Sequence, residues 1–465
     1  MSIIRIPINK TMDGYHTFLR CKGLPWYQVE GREVLTDDIS YAAVFGGDVD
    51  PVDVVGRYGH LMPFQADLVT RALARRRFAL MADCGLGKTP MGLAWAHAVA
   101  EHGKVLILCP LAVLKQWLRE SVKFHGHPLV NLRAGEPWTE GVGIMNWESR
   151  RDFDMRGVHG IILDESSILK NCDGLTMRWL TGLSANVPYR LSLSATPAPN
   201  DHFEYASHAQ WLGLASSVKE YAARYFKKDG VRWVLRGHAI GPFYRNLAQW
   251  STYIYSPRAL GYEDTTEIGE EPMYNRQRYG MPEDFRASEG QMFTSADIGS
   301  DRSAVFGRLR SVDGPRLQGI ASYAQGKRLI VWCSRNAEEQ AVAKVLPGSV
   351  KVINGAMPIE ERVDVVDAYR AGEIDHIVSK PRVLGFGVNL PECNHMVYSG
   401  FTYSFEEFYQ TVRRAHRYGR AGRLEVMIPY TDPESPILTA LHGKMDRFAS
   451  DVAEMQSRFW DEVTA

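Results

Sequence analysis

Residues 82–89 read "ADCGLGKT"; they follow the apolar run "FALM" (78–81) and precede the helix-like "PMGLAWAHAVA". Gly85 and Gly87 let the backbone curl so that successive N–H groups point inward, and a helix starting behind them adds its dipole: an anion cradle. In such a cradle Lys88 reaches the β and γ phosphates of a nucleotide, and the Thr89 hydroxyl binds Mg2+. The usual G-x-x-x-x-G-K-[ST] pattern has Ala82 in place of its first glycine, so the strand–loop–helix context carries the assignment.

Two further groups of residues fit the same chemistry. In "GIILDESSILKN" an apolar run ends on Asp164 and Glu165. The first acid is predicted to hold Mg2+, directly or through water, and the second to orient and deprotonate an attacking water. In "QTVRRAHRYGR" (410–420) Arg414 and Arg417 stand three apart, a spacing that predicts one shared helical face. Guanidinium groups so placed stabilise charge on a γ-phosphate in the transition state, an effect of roughly 10³ to 10⁵ in rate. Alone, each group has a plainer reading as a glycine turn, a solvated strand end or a basic helix face. Their combination in one chain favours phosphate chemistry.

The elements that must position these residues show in the hydropathy. Short apolar runs alternate with helix-like segments from about residue 78: "FALM", "KVLILCP" (104–110), "GIILDE" (160–165) and "YRLSLSAT" (189–196). Continuous apolar strands separated by helices are what a parallel sheet covered on both faces requires. The pattern returns in "RLIVWCS" (328–334), "VKVING" (350–355), "IDHIVS" (374–379), "HMVYSG" (395–400) and "EVMIPY" (425–430), which predicts a second α/β lobe. Five segments result: an N-terminal extension over 1–60, β-containing; a first lobe over 61–200; a helical insertion and linker over 201–300; a second lobe over 301–435; and a C-terminal helix over 436–465.

With 465 residues the chain exceeds one ordinary core, which agrees with two lobes. Hydrophobic residues at 45% and charged residues at 23% are near globular averages, and no run approaches the roughly 20 apolar residues of a membrane span. The N-terminal stretch "MSIIRIPINKTMDGYHTF" lacks a secretory pattern, so the expected location is the cytoplasm, of a bacterium or a phage-infected cell. Six cysteines are scattered singly, which predicts reduced thiols and no structural zinc. Lys+Arg and Asp+Glu both number 54, so any polyanion site must come from local patches. The stretch "RALARRR" (71–77) reads as a solvated helix end, and His125 and His127 of "FHGH" as structural.

An ordered series of short strings resembles a superfamily 2 helicase-type motor, most closely its Swi/Snf-type branch of duplex-DNA translocases, over roughly residues 61–430. "LMPFQ" is similar to the adenine-reading Q motif, "ADCGLGKT" to Walker A, "CPLAVLKQWLRE" to motif Ia and "NWES" to the strand-end motif before Walker B. "DESSILKN" resembles Walker B, "SATP" motif III, "LIVWCS" motif IV, "INGAMPIEER" the element after it, "VLGFGVNL" motif V and "QTVRRAHRYGR" motif VI. The resemblance implies two tandem RecA-like lobes with parallel sheets, a helical insertion between them and a small N-terminal extension. It implies ATP and Mg2+ as cofactors, with Gln65 reading adenine, Ser194 and Thr196 coupling hydrolysis to lobe movement, and Gln410, Arg414 and Arg417 completing the ATP site from the second lobe. Pro110, Lys115 and Gln116, with Gly385, Gly387 and Asn389, would follow the nucleic-acid backbone.

Two departures stand out. The family's DEAD or DEAH string is "DESS" here, which keeps both acids but puts Ser166 and Ser167 after them, and motif VI ends on Arg420 where the branch often has glutamine. The implied activity is an ATP-driven duplex-DNA translocase. A helicase acting on single-stranded or forked DNA or RNA stays open beside it, as does a nucleotide-gated clamp or the motor subunit of a larger complex.

Overall fold

The computed structural model describes residues 3–22, 24, 27–45, 54–150, 154–172, 174–230, 232–263, 270–280, 310, 313–384, 390, 392–417, 420 and 422–463. The chain divides into two compact units, Met1–Asp264 with Phe448–Ala465, and Thr265–Arg447.

The first unit begins with a small antiparallel sheet of β1 (Ile3–Pro7), β2 (Gln28–Glu30) and β3 (Glu33–Asp37), in the order β1-β3-β2. The chain then forms β4 (Arg77–Ala82), β5 (Lys104–Cys109), β6 (Val130–Asn131), β7 (Val142–Asn146), β8 (Val158–Leu163) and β9 (Tyr189–Ser194). A two-stranded hairpin follows, β10 (Phe226–Asp229) and β11 (Arg232–Leu235), and then β12 (Ser251–Ile254). Seven of these strands make one sheet in the order β12-β4-β9-β8-β5-β7-β6, with every neighbouring pair parallel.

Strand periodicity explains the unbroken apolar runs. Phe78, Leu80, Val105, Ile107, Ile162 and Leu191 enter one core, while Ala79, Met81, Leu106, Leu108, Ile161 and Leu163 enter another on the opposite face. Successive side chains point to opposite faces, so a strand covered on both sides must be apolar at every position.

The region expected to be a helical insertion and linker is partly sheet. It supplies helices Glu204–Leu212, Val218–Tyr225 and Ile240–Trp250, but β12 forms the edge of the first sheet against β4. This four-residue strand is defined only by its pairing with a distant partner. Residues 231, 264–269 and 281–300 of the expected insertion and linker lie outside the described residues.

The arginines of "RALARRR" are used inside this unit. Arg71 donates to the Ala248 carbonyl at 3.1 Å, Arg77 to that of Gly213 at 3.2 Å, Arg75 to that of Val44, and Arg76 lies 3.6 Å from Asp38. His125 packs its ring 4.4 Å from that of His97 and 5.0 Å from that of His60. Burial pushes His97 and His125 down to about 4, so both imidazoles are neutral at physiological pH.

In the second unit β13 (Met273–Arg278), β14 (Leu329–Trp332), β15 (Val350–Ile353), β16 (His376–Ser379), β17 (His395–Tyr398) and β18 (Glu425–Tyr430) form a parallel sheet in the order β13-β18-β17-β14-β16-β15. Strand β13 also falls within the stretch expected to be linker. A buried ionic triad braces this unit: Glu434 accepts from Arg310 at 2.7 Å and from Arg316 at 2.9 Å, and also from the Thr431 amide at 2.9 Å. The helix Ser435–Val463 begins here, and its part from Phe448 belongs to the first unit, where Asp451 accepts from the Tyr244 hydroxyl at 2.7 Å. Among the described residues, no helix is long and apolar enough to cross a membrane.

Candidate nucleotide site

The phosphate loop joins β4 to the helix Lys88–Val99. Gly85 and Gly87 both take positive φ, 91° and 81°, which curls the loop ahead of the helix. Gln65 braces it. Its amide nitrogen donates to the Leu86 carbonyl at 3.0 Å, and its amide oxygen accepts from the Met62 N–H at 2.9 Å, at the start of the helix Pro63–Arg75. The residue expected to read adenine thus also supports the loop that would hold phosphates. Lys88 donates to the loop's own Ala82 and Asp83 carbonyls, at 2.8 and 3.3 Å, which holds the ammonium over the cradle.

Asp164 follows β8, beside the strand that leads to motif Ia. Its buried carboxylate accepts from the Trp117 indole N–H at 2.8 Å and from the Glu165 amide at 3.0 Å. Burial raises its carboxyl above the usual range, opposed by the Trp117 hydrogen bond and by the positive charge of Lys88. Lys88 and Asp164 therefore act on one another, as a phosphate-and-metal site requires. Glu165 sits in the left-handed region at φ 50°, ψ 52°, at the start of a 3-10 turn over Ser166–Lys170. A non-glycine residue held there is uncommon and is typical of functional turns. Thr89 is half-buried in the first turn of the loop's helix.

Trp117 is a site residue that sequence reasoning missed. It lies next to Gln116 in "KQWLRE", and an apolar tryptophan at helical spacing reads as core; its polar edge shows only once the helix Leu111–His125 is packed against β8.

The two serines of "DESS" turn inward. Ser166 and Ser192 hydroxyls are 2.7 Å apart, Ser192 is 3.3 Å from His208 Nδ1, and His208 Nε2 is 2.9 Å from the Pro197 carbonyl. A carbonyl can only accept, so Nε2 carries the proton and Nδ1 accepts. The hydroxyl of Ser192 then donates to His208, and that of Ser166 donates to Ser192. Burial pushes His208 down to about 4, which keeps it in this neutral tautomer. The result is a buried chain from the residue after Glu165 to the proline that ends "SATP". Within that string Ser194 accepts from the Thr196 amide at 3.1 Å, and both side chains are fully buried.

The remaining expected residues have varied settings. Pro110 is buried and caps the helix Leu111–His125, whose first amide donates to Glu148 of "NWES" at 3.0 Å. Lys115 is exposed, while Gln116 donates to Glu120 at 2.7 Å on its own helix. Gly385, Gly387 and Asn389 lie outside the described residues. In the second unit Gln410 is buried and Arg414 half-buried on the helix Phe405–Ala415. That helix stops at Ala415, so Arg417 falls beyond it and does not share a helical face with Arg414, contrary to the spacing argument. The departure at Arg420 is structural. Its guanidinium donates to the carbonyls of Cys393 at 2.7 Å, Gly422 at 2.9 Å and Ala415 at 3.2 Å, and to the Asn394 side chain at 2.9 Å, which ties the helix end to β17.

Comparisons with known proteins follow the same lines. Residues 315–419 match the helicase conserved C-terminal domain. The DNA repair protein rhp54 of Schizosaccharomyces pombe is 29% identical over 183 residues, 31% of this chain and 21% of that protein. The DNA annealing helicase and endonuclease ZRANB3 of Mus musculus is 21% identical over 416 residues, 79% of this chain and 38% of that protein. A solved Sulfolobus solfataricus SWI2/SNF2 ATPase core in complex with dsDNA aligns with a TM-score of 0.41 at 16% identity, covering 88% of this chain and 96% of that one. That superposition is loose, and the strand orders above remain the statement of the fold. The chain spans about a fifth of the length of the first curated relatives it matches. By its ordered motifs, the helicase C-terminal match and the sequence relatives, the chain is similar to the Swi/Snf-like helicase-type ATPases of superfamily 2.

Proposed function

We propose that the protein hydrolyses ATP and uses the energy to move along the phosphate backbone of duplex DNA. The observation that carries the ATPase part is the placement of Lys88 after β4 and Asp164 after β8, beyond the ends of two strands of one parallel sheet, with the charge of Lys88 bearing on the Asp164 carboxyl beside a loop that Gly85 and Gly87 curl into a cradle. The residues fit Mg2+ and a triphosphate: a buried carboxylate, a hydroxyl at Thr89, and an ammonium whose present partners are backbone carbonyls that phosphate oxygens can replace. Thr89 and Asp164 would hold Mg2+, which supplies charge neutralisation between phosphates. Glu165 orients and deprotonates the attacking water, and the buried serine chain begins at the residue that follows it. The roles that the resemblance implies for Gln410, Arg414 and Arg417 in hydrolysis, and for the motif Ia and motif V residues on DNA, are proposed with it.

The duplex-DNA part is supported by relatives whose names state action on DNA. The test is steady-state ATP hydrolysis by the protein alone and with blunt duplex DNA, single-stranded DNA or RNA, with Glu165→Gln as the blank. Stimulation by blunt duplex, abolished in the variant, is the expected result. Stimulation by single strands or RNA alone refutes the duplex translocase and favours the helicase alternative.

A further inference from the structure

The hairpin β10–β11 concentrates positive charge in a chain whose formal net charge is +0. From Lys219 to Arg236 the cations are Lys219, Arg224, Lys227, Lys228, Arg232 and Arg236, against Glu220 and Asp229. Of these acids Glu220 is taken by Arg224, at 2.5 Å on the preceding helix, which leaves Asp229 alone to balance the rest. Lys227, Lys228 and Arg232 are all exposed, and no ion pair joins them to an acid among the described residues. The arginines of "RALARRR" behave differently: they are taken up by backbone carbonyls and Asp38.

The root of the hairpin is held firmly. Phe226 is buried between Phe203 and Phe243, with ring centroids at 5.9 and 5.5 Å, and Trp233 stacks on Phe203 at 5.4 Å with the planes 3° apart. The tip is open: Gly230, at φ 58°, has space around it that a side chain would enter without contact. The register places Lys227 opposite Val234, which is 40% exposed, and Lys228 opposite Trp233, with its ammonium 5.6 Å from the indole ring. Aromatic anchoring of the root with exposed cations along the free part gives a rigid, positively charged finger. Lysines on an exposed edge also keep strands from pairing with other chains, but that purpose would be served as well by charges of either sign.

We propose that this hairpin is a nucleic-acid contact surface, in which Lys227, Lys228 and Arg232 grip phosphates of the duplex. Nothing in the ordered motif series assigns it a role. The inference rests on the reading of the protein as a duplex-DNA motor, since exposed cations without acid partners match a polyanion backbone rather than any base sequence.

The test is fluorescence anisotropy of a labelled blunt duplex at a series of salt concentrations, with ATP hydrolysis measured in parallel, for the wild type and for the combined Lys227→Gln, Lys228→Gln, Arg232→Gln variant. Each phosphate contact contributes about 0.9 to the slope of log affinity against log salt, so the variant's slope should be shallower by roughly 2 to 3. The DNA concentration for half-maximal stimulation should rise at least tenfold, while hydrolysis without DNA stays unchanged. Asp229→Asn should act in the opposite direction and tighten binding. A wild type that binds duplex, with a triple variant of the same slope and the same half-maximal concentration, overturns the hairpin assignment alone. A wild type that does not bind duplex overturns the motor reading and the hairpin assignment with it.

Discussion

Replacing Gly87 by alanine tests how the phosphate loop is held. The residue sits at φ 81°, ψ 39°, and a Cβ built there would lie 2.3 Å from Gln65 Nε2. Two separable penalties follow. The left-handed backbone disfavours an L side chain by about 1–2 kcal/mol. The Gln65 amide must also move, which breaks its 3.0 Å hydrogen bond to Leu86, a loss of about 0.5–1.5 kcal/mol. Gly87→Ala should therefore destabilise the first unit by about 1.5–3.5 kcal/mol in all. In a Gln65→Ala background the second penalty is already spent, so the same substitution should lose only about 1–2 kcal/mol. Urea unfolding followed by tryptophan fluorescence is a suitable assay, because most of the tryptophans lie in the first unit. A fluorescent ATP analogue should show weaker binding by Gly87→Ala and by Gln65→Ala. Equal losses for Gly87→Ala in both backgrounds would refute the claim that Gln65 and the loop support one another.

Two further outcomes follow from buried polar groups. Ser192→Ala leaves the Ser166 hydroxyl and His208 Nδ1 without their partner in the core and should destabilise by about 1–3 kcal/mol; it should also lower the turnover of bound ATP while leaving its KM nearly unchanged, and a loss of stability with turnover unchanged would make the serine chain merely structural. His97 and His125 are held neutral by burial, down to about 4, whereas an unfolded chain protonates them near 6.5. Because the unfolded state binds more protons in that window, their contribution to stability is fully present above pH 6.5 and is lost as pH falls toward 4. Denaturation midpoints measured across this range should fall with pH, and the His97→Gln, His125→Gln double variant should flatten the decline.

Much of the fold was legible in the chain. The nine apolar runs from "FALM" to "EVMIPY" all contain strands of the two parallel sheets, and most are buried on both faces, which demands apolar residues along the strand; β15 at a sheet edge exposes Lys351. Less visible were β7, β12 and β13. Strand β13 lies at a sheet edge with four of its six residues exposed and no residue fully buried, and β12 follows a helix without a turn signal. The same limit applied to the arginines: a spacing of three predicts a shared face only while the helix lasts, and Arg417 lies past its end.

For the site, contiguous residues encoded the parts whose chemistry is local. The glycine-lysine-threonine loop and the acidic pair after a strand are short, and their backbone demands can be met by neighbours in sequence. Tertiary structure alone decided what holds those parts in place. Trp117 reaches Asp164 across 47 positions, Gln65 reaches Leu86 across 21, and Ser192 bonds to Ser166 across 26. These are hydrogen bonds between side chains and distant groups, made within about 3 Å once helices and strands have packed, and no periodicity of 2 or 3.6 residues carries information about them. The sequence therefore determined which groups are the candidates for the chemistry, and packing determined how they are aimed.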